Sequence, residues 1–249
     1  MIRLIALFVL LAMPAKAEEI VLGLSRDQVS ITATFEGSEI LIFGAIKREG
    51  PVQAEGDLGV IVTVAGPDRP VTVRKKDRRL GIWVNTESVD VDVAPTFYAV
   101  ATNRPLEEIL TFTEDLNTRI STQRAIRSVG ATVDSAQSFT DALIRIREGQ
   151  GLYQTLPTGV SVEEETLFRT LIPLPANLTE GDYKAEIYLT RGREIVDFYV
   201  TDIPVQKVGL ERWLYNLAHD NPFLYGLMSL SIAIAAGWGA SAAFSLLRR

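Results

Sequence analysis

Few side chains in this sequence could act in catalysis or bind a metal. There is no cysteine, which excludes thiol catalysis, thiolate metal sites and disulfides. The single histidine, His219, cannot form a histidine cluster for a metal. Carboxylates at 163–165 are adjacent, and Asp90 and Asp92 share a strand face, so two acids across a cleft could perform glycoside hydrolysis. Solvated turn and strand-face charge explains both sets more simply, and the sequence predicts no catalytic residue, cofactor or metal site.

One polar segment stands out, the sequence RKKDRR at 74–79, because the chain as a whole is acidic, with a formal net charge of −6. Clustered cations raise the local electrostatic potential and could hold an anionic headgroup, a polyanion or the acidic patch of a partner. The alternative is a solvated hairpin tip. The cations of this candidate anion or partner patch are Arg74, Lys75, Lys76, Arg78 and Arg79.

The N-terminus has the order of a secretory signal. Arg3 precedes an apolar run at 4–13, and Ala15, Lys16 and Ala17 form a small-x-small triplet. Ten apolar residues are too few to span about 30 Å of hydrocarbon. We expect residues 1–17 to be a signal peptide cleaved after Ala17. Removal of its two basic residues leaves 23 basic against 31 acidic residues, a balance that argues against nucleic-acid binding.

The C-terminus predicts a membrane anchor. Residues 222–247 contain no charge and reach about 39 Å as a helix, so we assign 221–247 as a transmembrane helix. Residues 208–220 form an amphipathic juxtamembrane helix, and the arginines at 248–249 form a cytoplasmic tail. Together with the signal peptide, this predicts a single-pass protein of the bacterial inner membrane. Its N-terminal domain lies in the periplasm and its C-terminus in the cytoplasm.

Small residues recur every four positions in this helix and share one face. Such a face lets another helix approach closely, which is how helices associate in lipid. Besides the lipid bilayer, the expected partner is therefore a membrane protein, such as a transporter, or a second copy of the chain. The alternative is that the small residues have no role in association, because such residues are common in bacterial transmembrane helices. The packing face comprises Ser229, Ala233, Gly237, Ser241 and Ser245.

The residues between the signals alternate in polarity with a period of two. Residues 18–102 predict short β-strands, residues 103–155 a helical insertion that starts at a capping Asn103, and residues 156–207 further strands. Ser138 is expected to open the second helix. Tyr183, which follows a Gly-Asp turn, resembles a tyrosine corner. The predicted fold is mainly β, an immunoglobulin-like antiparallel sandwich with a helical insertion and one transmembrane helix; a second small β domain at 156–207 is the alternative.

The chain also resembles a family of alphaproteobacterial single-pass transmembrane proteins without an established activity. The resemblance rests on GSEILIFGAI at 37–46, FYAVATNRPLEEIL at 97–110, GLYQ at 151–154, GDYKAEIYLTRG at 181–192 and YGLMSLSIAIAAGWGASAAF at 225–244. It implies a shared architecture and suggests a permease as the membrane partner.

Three functions remain open from the sequence. The preferred one is a membrane-anchored, non-enzymatic interaction or ligand-binding module in the periplasm, accessory to a membrane transporter. The alternatives are an envelope structural or polyanion-binding protein that uses the basic segment, and a carboxylate-dependent hydrolase.

Overall fold

The computed structural model describes residues 18–25, 28–31, 35–48, 57–127, 133–208 and 210–247. The predicted signal peptide at 1–17 and the tail at 248–249 lie outside these residues. The chain divides into two compact units. The first contains the described residues up to Val29 and Glu36–Val205, and the second contains Ser30–Phe35 and the residues from Gln206 onward. Each unit is considered separately below.

The first unit contains a four-stranded antiparallel sheet in the order β1-β3-β10-β9. The strict alternation of buried and exposed residues along β10 shows that one face of this sheet points into the core. Phe168 and Ile172 lie on that inner face, whereas Leu167 and Leu171 point outward and are about half exposed. The strands are β1 (Glu18–Leu24), β3 (Ser38–Arg48), β9 (Val160–Glu163) and β10 (Leu167–Leu174).

A second sheet has the order β12-β11-β4-β7-β8 and is antiparallel except for the parallel pair β7 and β8. β4 is buried at seven of its eight positions, as expected for an apolar central strand covered on both faces. The strands are β4 (Leu58–Ala65), β7 (Tyr98–Thr102), β8 (Tyr153–Leu156), β11 (Gly181–Arg191) and β12 (Glu194–Lys207). The short β2 (Val29–Ile31) extends the sheet order beyond β12.

Four helices connect the parallel strands β7 and β8. They are α1 (Leu106–Ile109), α2 (Phe112–Thr118), α3 (Thr122–Ala125) and α4 (Val133–Gly149). Strands on either side of these helices pair with each other, as in β3 with β10 and β4 with β11. The helical segment is therefore an excursion within one β-rich unit, and it ends before Tyr153, where β8 begins.

Two predicted helix starts are wrong. Asn103 does not cap α1: its Oδ1 accepts the Val60 N–H at 2.9 Å and its Nδ2 donates to the Leu58 carbonyl at 3.1 Å, so the amide continues the hydrogen bonding of β4. α4 begins at Val133, five residues before Ser138, so Ser138 lies inside the helix and does not open it. In α2, by contrast, the Thr111 hydroxyl accepts the Glu114 N–H and caps the helix.

Tyr183 forms the local hydrogen bond that its sequence position suggested. Its hydroxyl donates to the Thr179 carbonyl, four residues upstream, at 2.8 Å. The side chain is fully buried and its ring packs against that of Phe97, with ring centroids 5.9 Å apart. Burial also raises the pKa of Tyr183 to about 12, so the phenol stays protonated and keeps this hydrogen bond at neutral pH.

Outside the two sheets, β5 (Asp68–Arg79) and β6 (Ile82–Pro95) form a long antiparallel hairpin in the first unit. The alternation of polarity predicts shorter strands at 71–74, 81–84 and 89–93, but each of the two strands of the hairpin is continuous. In the second unit, α5 (Leu210–Asp220) is followed by α6 (Pro222–Leu247). α6 includes the one helix segment among the described residues, Pro222–Ser241, that is long and apolar enough to cross a membrane.

Candidate functional site

The basic segment lies in the distal half of the β5–β6 hairpin. We define the arm as residues 74–88, beyond the directly paired Val73 and Val89. None of its residues is buried, and all residues from Arg74 to Trp83 are exposed. The seven residues from Val73 to the turn correspond to about 24 Å of extended chain. The arm is therefore a two-stranded ribbon that has no contact with a hydrophobic core along its length.

Among the described residues, the contacts that fix the hairpin lie at its base. Val73 and Val91 are buried there, and the backbone of Val93 exchanges two hydrogen bonds with that of Arg127. The Tyr153 hydroxyl donates to the Pro95 carbonyl at 2.8 Å, which ties the end of β6 to β8. A solvated arm on an anchored base is an arrangement that presents residues to something outside the unit.

Most cations of the arm have no acidic partner. Lys75 pairs with Glu87 at 3.4 Å, an exposed contact that contributes little stability. In the part of the chain that the structure describes, no ion pair involves Arg74, Lys76, Arg78 or Arg79. Asp77, the acid within the segment, accepts the Arg78 N–H at 2.8 Å. With five cations and two acids, the arm carries a net charge of +3.

The apex of the arm is apolar, which the sequence prediction missed. The basic segment is strand, and the turn is formed by Leu80 and Gly81, with φ of 50° and 88°. Two positive φ values are typical of a type I′ turn, in which Asn-Gly is favoured over a branched residue such as leucine. Leu80 is fully exposed, and Ile82 and Trp83 are exposed by 64% and 68%. The signal was present in the sequence as Leu-Gly-Ile-Trp, but it was interpreted as a strand start.

The small residues of the candidate packing face lie on α6, as their four-residue spacing requires. Ser229, Ala233, Gly237 and Ser241 are exposed, and a Cβ added at Gly237 would meet no atom within 4 Å. The side chain of Ser245 lies outside the described part of the structure. This face is available to another helix, and the geometry does not distinguish a second copy from a different membrane protein.

The two sets of acidic groups considered for hydrolysis lie on different elements of the fold. Asp90 lies on β6, where it accepts a hydrogen bond from the Thr72 hydroxyl at 2.7 Å. Glu163 ends β9 and forms an exposed ion pair with Arg169, and Glu165 pairs with Arg191. Glu164 and Glu165 both have positive φ, as in the turn that the simpler interpretation suggested. The described residues include no group of three or more His, Asp or Glu side chains that could hold a metal ion.

A cleft that the sequence did not indicate lies between the second sheet and the helices. Its volume is about 420 Å³, and its lining combines Asp141, Arg145 and Glu148 of α4 with the apolar Val100 and Leu106. The three charged residues share one helix face by their spacing. Two acids and one base give these three residues a net charge of −1, so the cleft does not favour an anion.

An exposed apolar face is a further feature of the four-stranded sheet. Phe43 on β3 and Leu167 and Leu171 on β10 point away from the core. Phe43 and Leu167 border a groove of about 350 Å³. The ring of Phe43 lies over Gly23 of the neighbouring strand. The two charged residues that line the groove, Glu163 and Arg169, pair with each other, so this face has no net charge comparable to that of the arm.

Residues 19–246 match the model of a protein family described as "Putative transmembrane protein (Alph_Pro_TM)". No curated protein matches the chain.

Proposed function

The chain belongs to the Alph_Pro_TM family of putative transmembrane proteins, and on this premise we propose that it is a membrane-anchored, non-enzymatic interaction module. Its binding element is the arm of the β5–β6 hairpin. The first unit holds the arm, and α6 anchors the chain in the bilayer. One observation carries the proposal: an exposed ribbon with a net charge of +3 and an apolar apex extends from an otherwise acidic protein.

The arm has no evident role in stabilising the fold. A two-stranded ribbon without a third strand or a packed face is marginally stable in water. Exposed hydrophobic residues next to one another, such as Leu80, Ile82 and Trp83, mark interaction sites in soluble domains. Tryptophan and arginine are also the residues that contribute most at protein interfaces. The composition of the arm therefore supports binding better than folding.

The remaining elements of the proposal concern placement. We infer that the two sheets form an immunoglobulin-like sandwich into which the helical segment is inserted, and the tyrosine-corner hydrogen bond of Tyr183 supports this. We also infer a periplasmic first unit, a cytoplasmic C-terminus and a location in the inner membrane. The charge-free α6 and the arginine pair at 248–249 support this orientation.

Photo-crosslinking in native membranes tests whether the arm binds. A benzoylphenylalanine is placed at position 83 of the full-length protein, and in a control at position 112, where Phe112 is 73% exposed in the same unit. We expect adducts to a protein or lipid from position 83 that position 112 does not give. These adducts should disappear when Arg74, Lys76, Arg78 and Arg79 are replaced by glutamine. Identical patterns at the two positions would rule out the arm as a binding element.

A partner within the membrane is the second candidate interaction. The exposed small-residue face of α6 supports either self-association or docking on a polytopic protein such as a transporter. Such an accessory role would use the span for association and leave the arm free for a separate contact. Co-purification of a polytopic protein with the wild type, and its loss in the Gly237→Leu variant, would support this role.

A further inference from the structure

We propose that the arm docks end-on on an anionic phospholipid bilayer. In this arrangement Leu80, Ile82 and Trp83 enter the headgroup region, and the cations beside and behind them bind lipid phosphates. The inference rests on the proposed function, because it names the partner of the same arm.

The distribution of side chains around the ribbon favours an end-on contact. Directly paired residues share one face of a hairpin, and successive residues alternate between faces. Arg78 and Trp83 are paired and occupy one face, whereas the paired Arg79 and Ile82 occupy the other. Both faces thus have an apolar residue beside a cation, with Leu80 at the apex between them. A groove on a protein would contact one face, but a planar surface approached by the tip contacts both.

The dimensions of the apolar apex suit the bilayer interface. From the turn to the Arg78–Trp83 pair the ribbon advances two residues, or about 7 Å. Amphipathic segments at a membrane surface bury their apolar side about 5 to 10 Å into the boundary between headgroups and acyl chains. At that depth Trp83 lies at the interface, where its ring is favoured. Lys76 and Arg74 follow along β5, at the level of the phosphates and above.

The leucine at the turn is unfavourable for the backbone conformation that the turn requires. Leu80 has a left-handed backbone, which disfavours residues with a side chain other than asparagine or aspartate. Its side chain contacts no other part of the unit, because it is fully exposed. The described structure shows no contact through which this leucine stabilises the fold, whereas insertion into lipid would bury its apolar side chain.

The charge distribution makes the arm the part of the chain suited to an anionic surface. The whole chain carries −6, and the arm contributes +3, so the remainder carries −9. An anionic bilayer attracts the arm and repels the rest. The membrane anchor of this protein gives the bilayer surface a high effective concentration near the arm, which favours lipid over an acidic protein as the binding partner of the arm.

A binding assay with full-length protein tests the charge requirement. The protein is held in nanodiscs of neutral phosphatidylcholine and sedimented with separate vesicles of phosphatidylcholine or of phosphatidylcholine with phosphatidylglycerol. We expect co-sedimentation with the anionic vesicles alone. Each cation contributes about fivefold to such binding, so the quadruple glutamine variant of Arg74, Lys76, Arg78 and Arg79 should bind several hundredfold more weakly. Arg119→Gln, outside the arm, is the matched control and should bind as the wild type does.

Tryptophan quenching tests the depth of insertion in proteoliposomes. Trp213 and Trp238 are replaced by phenylalanine, which leaves Trp83 as the reporter. The control carries Trp83→Phe and a tryptophan in place of Leu116, an exposed residue of α2 in the same unit. We expect lipids brominated near the headgroup end of the acyl chain to quench Trp83 in anionic vesicles, and to leave the control unquenched.

The outcomes separate this inference from the proposed function. Equal binding to neutral and anionic vesicles, or equal quenching of Trp83 and the control, overturns the lipid contact. If position 83 then crosslinks to an acidic protein, the interaction module stands with a different partner. If position 83 gives no specific adduct either, the proposed function fails together with the inference.

Discussion

Replacement of Leu80 by asparagine should stabilise the arm and weaken its binding at the same time. Leu80 and Gly81 form a two-residue turn with φ of 50° and 88°, for which Asn-Gly is a favoured pair. An ordinary residue in the left-handed region costs about 1 to 2 kcal/mol, and asparagine recovers part of this through local hydrogen bonding. The leucine side chain is fully exposed, so its removal loses no packing within the unit. The free energy of local unfolding of the arm should therefore rise by about 1 kcal/mol.

The effect on binding has the opposite sign. Full burial of a leucine side chain is worth about 1.5 to 3 kcal/mol, and partial insertion at an interface about half of that. Loss of this contribution weakens vesicle binding by about tenfold. A better-ordered turn alone would strengthen binding, because less conformational freedom is lost. A weaker affinity in a more stable arm can therefore come only from the lost apolar contact.

Hydrogen exchange and vesicle co-sedimentation measure the two effects separately. A gain of about 1 kcal/mol slows exchange of the arm amides at 74–88 about fivefold and leaves those of β4 unchanged. Leu80→Ala is the matched control, since it keeps the left-handed cost and removes most of the apolar surface; it should weaken binding without slowing exchange. Unchanged exchange in Leu80→Asn would refute the turn argument. Unchanged or tighter vesicle binding in both variants would refute the apolar apex.

Three further predictions concern the body and the anchor. In the first, Gly44→Ala should lower the free energy of unfolding by about 1 to 3 kcal/mol in denaturant titrations, because a Cβ there would lie 2.6 Å from the buried ring of Phe168. Gly23→Ala, whose Cβ would meet the exposed ring of Phe43, should lower it by less than half as much. Equal losses in the two variants would contradict the packing argument. In the second, burial raises the pKa of Tyr153 from 10.0 to about 12, so between these pH values the folded state retains a proton that the unfolded state loses. The resulting stability is complete below pH 10 and disappears as the pH rises to about 12. In unfolding measured as a function of pH, Tyr153→Phe should reduce this alkaline loss of stability by about 2 kcal/mol. In the third, Gly237→Leu should abolish helix association in detergent, measured by crosslinking or co-purification, and unchanged association would remove the small-residue face from the account.

Elements with a clear period or a long apolar run could be predicted from the sequence. Residues 40–46 and 59–65 are strands, as their apolar runs indicate, and α6 follows from 26 residues without a charge. Cover on both faces holds for 59–65 alone of these two runs, because Phe43 within 40–46 is exposed. Boundaries that depend on a distant partner could not be predicted. Asn103 has the residue type of a helix cap, but its side-chain amide hydrogen-bonds to the backbone of Val60 in β4, 43 residues away. The short β8 and β9 are strands because neighbours supply their hydrogen bonds, and four residues carry too little pattern to show it.

The site illustrates the same limit. The five cations of the basic segment were apparent from composition alone, because charge is a local property. The exposure of Leu80, Ile82 and Trp83 was not, since apolar residues beside a glycine look the same in a core strand and at a free turn. Which of the two occurs depends on whether a third strand pairs with the hairpin, and among the residues that the structure describes none does beyond Val73. Burial is a property of the whole fold and cannot be derived from a four-residue segment.

The combination of a span and an arm has a physical advantage over either alone. A single transmembrane helix fixes a domain to a bilayer but leaves it free to rotate and tilt, whereas a weak second contact restricts that freedom. Because the span keeps the domain near the surface, the second contact acts at high effective concentration and needs little affinity of its own. Four cations without an ion pair among the described residues, together with three exposed apolar residues, would supply a contact of that size, and the cations would make it sensitive to salt and to lipid charge. Under the proposed contact, the arm would orient the acidic body reversibly while the helix holds it permanently.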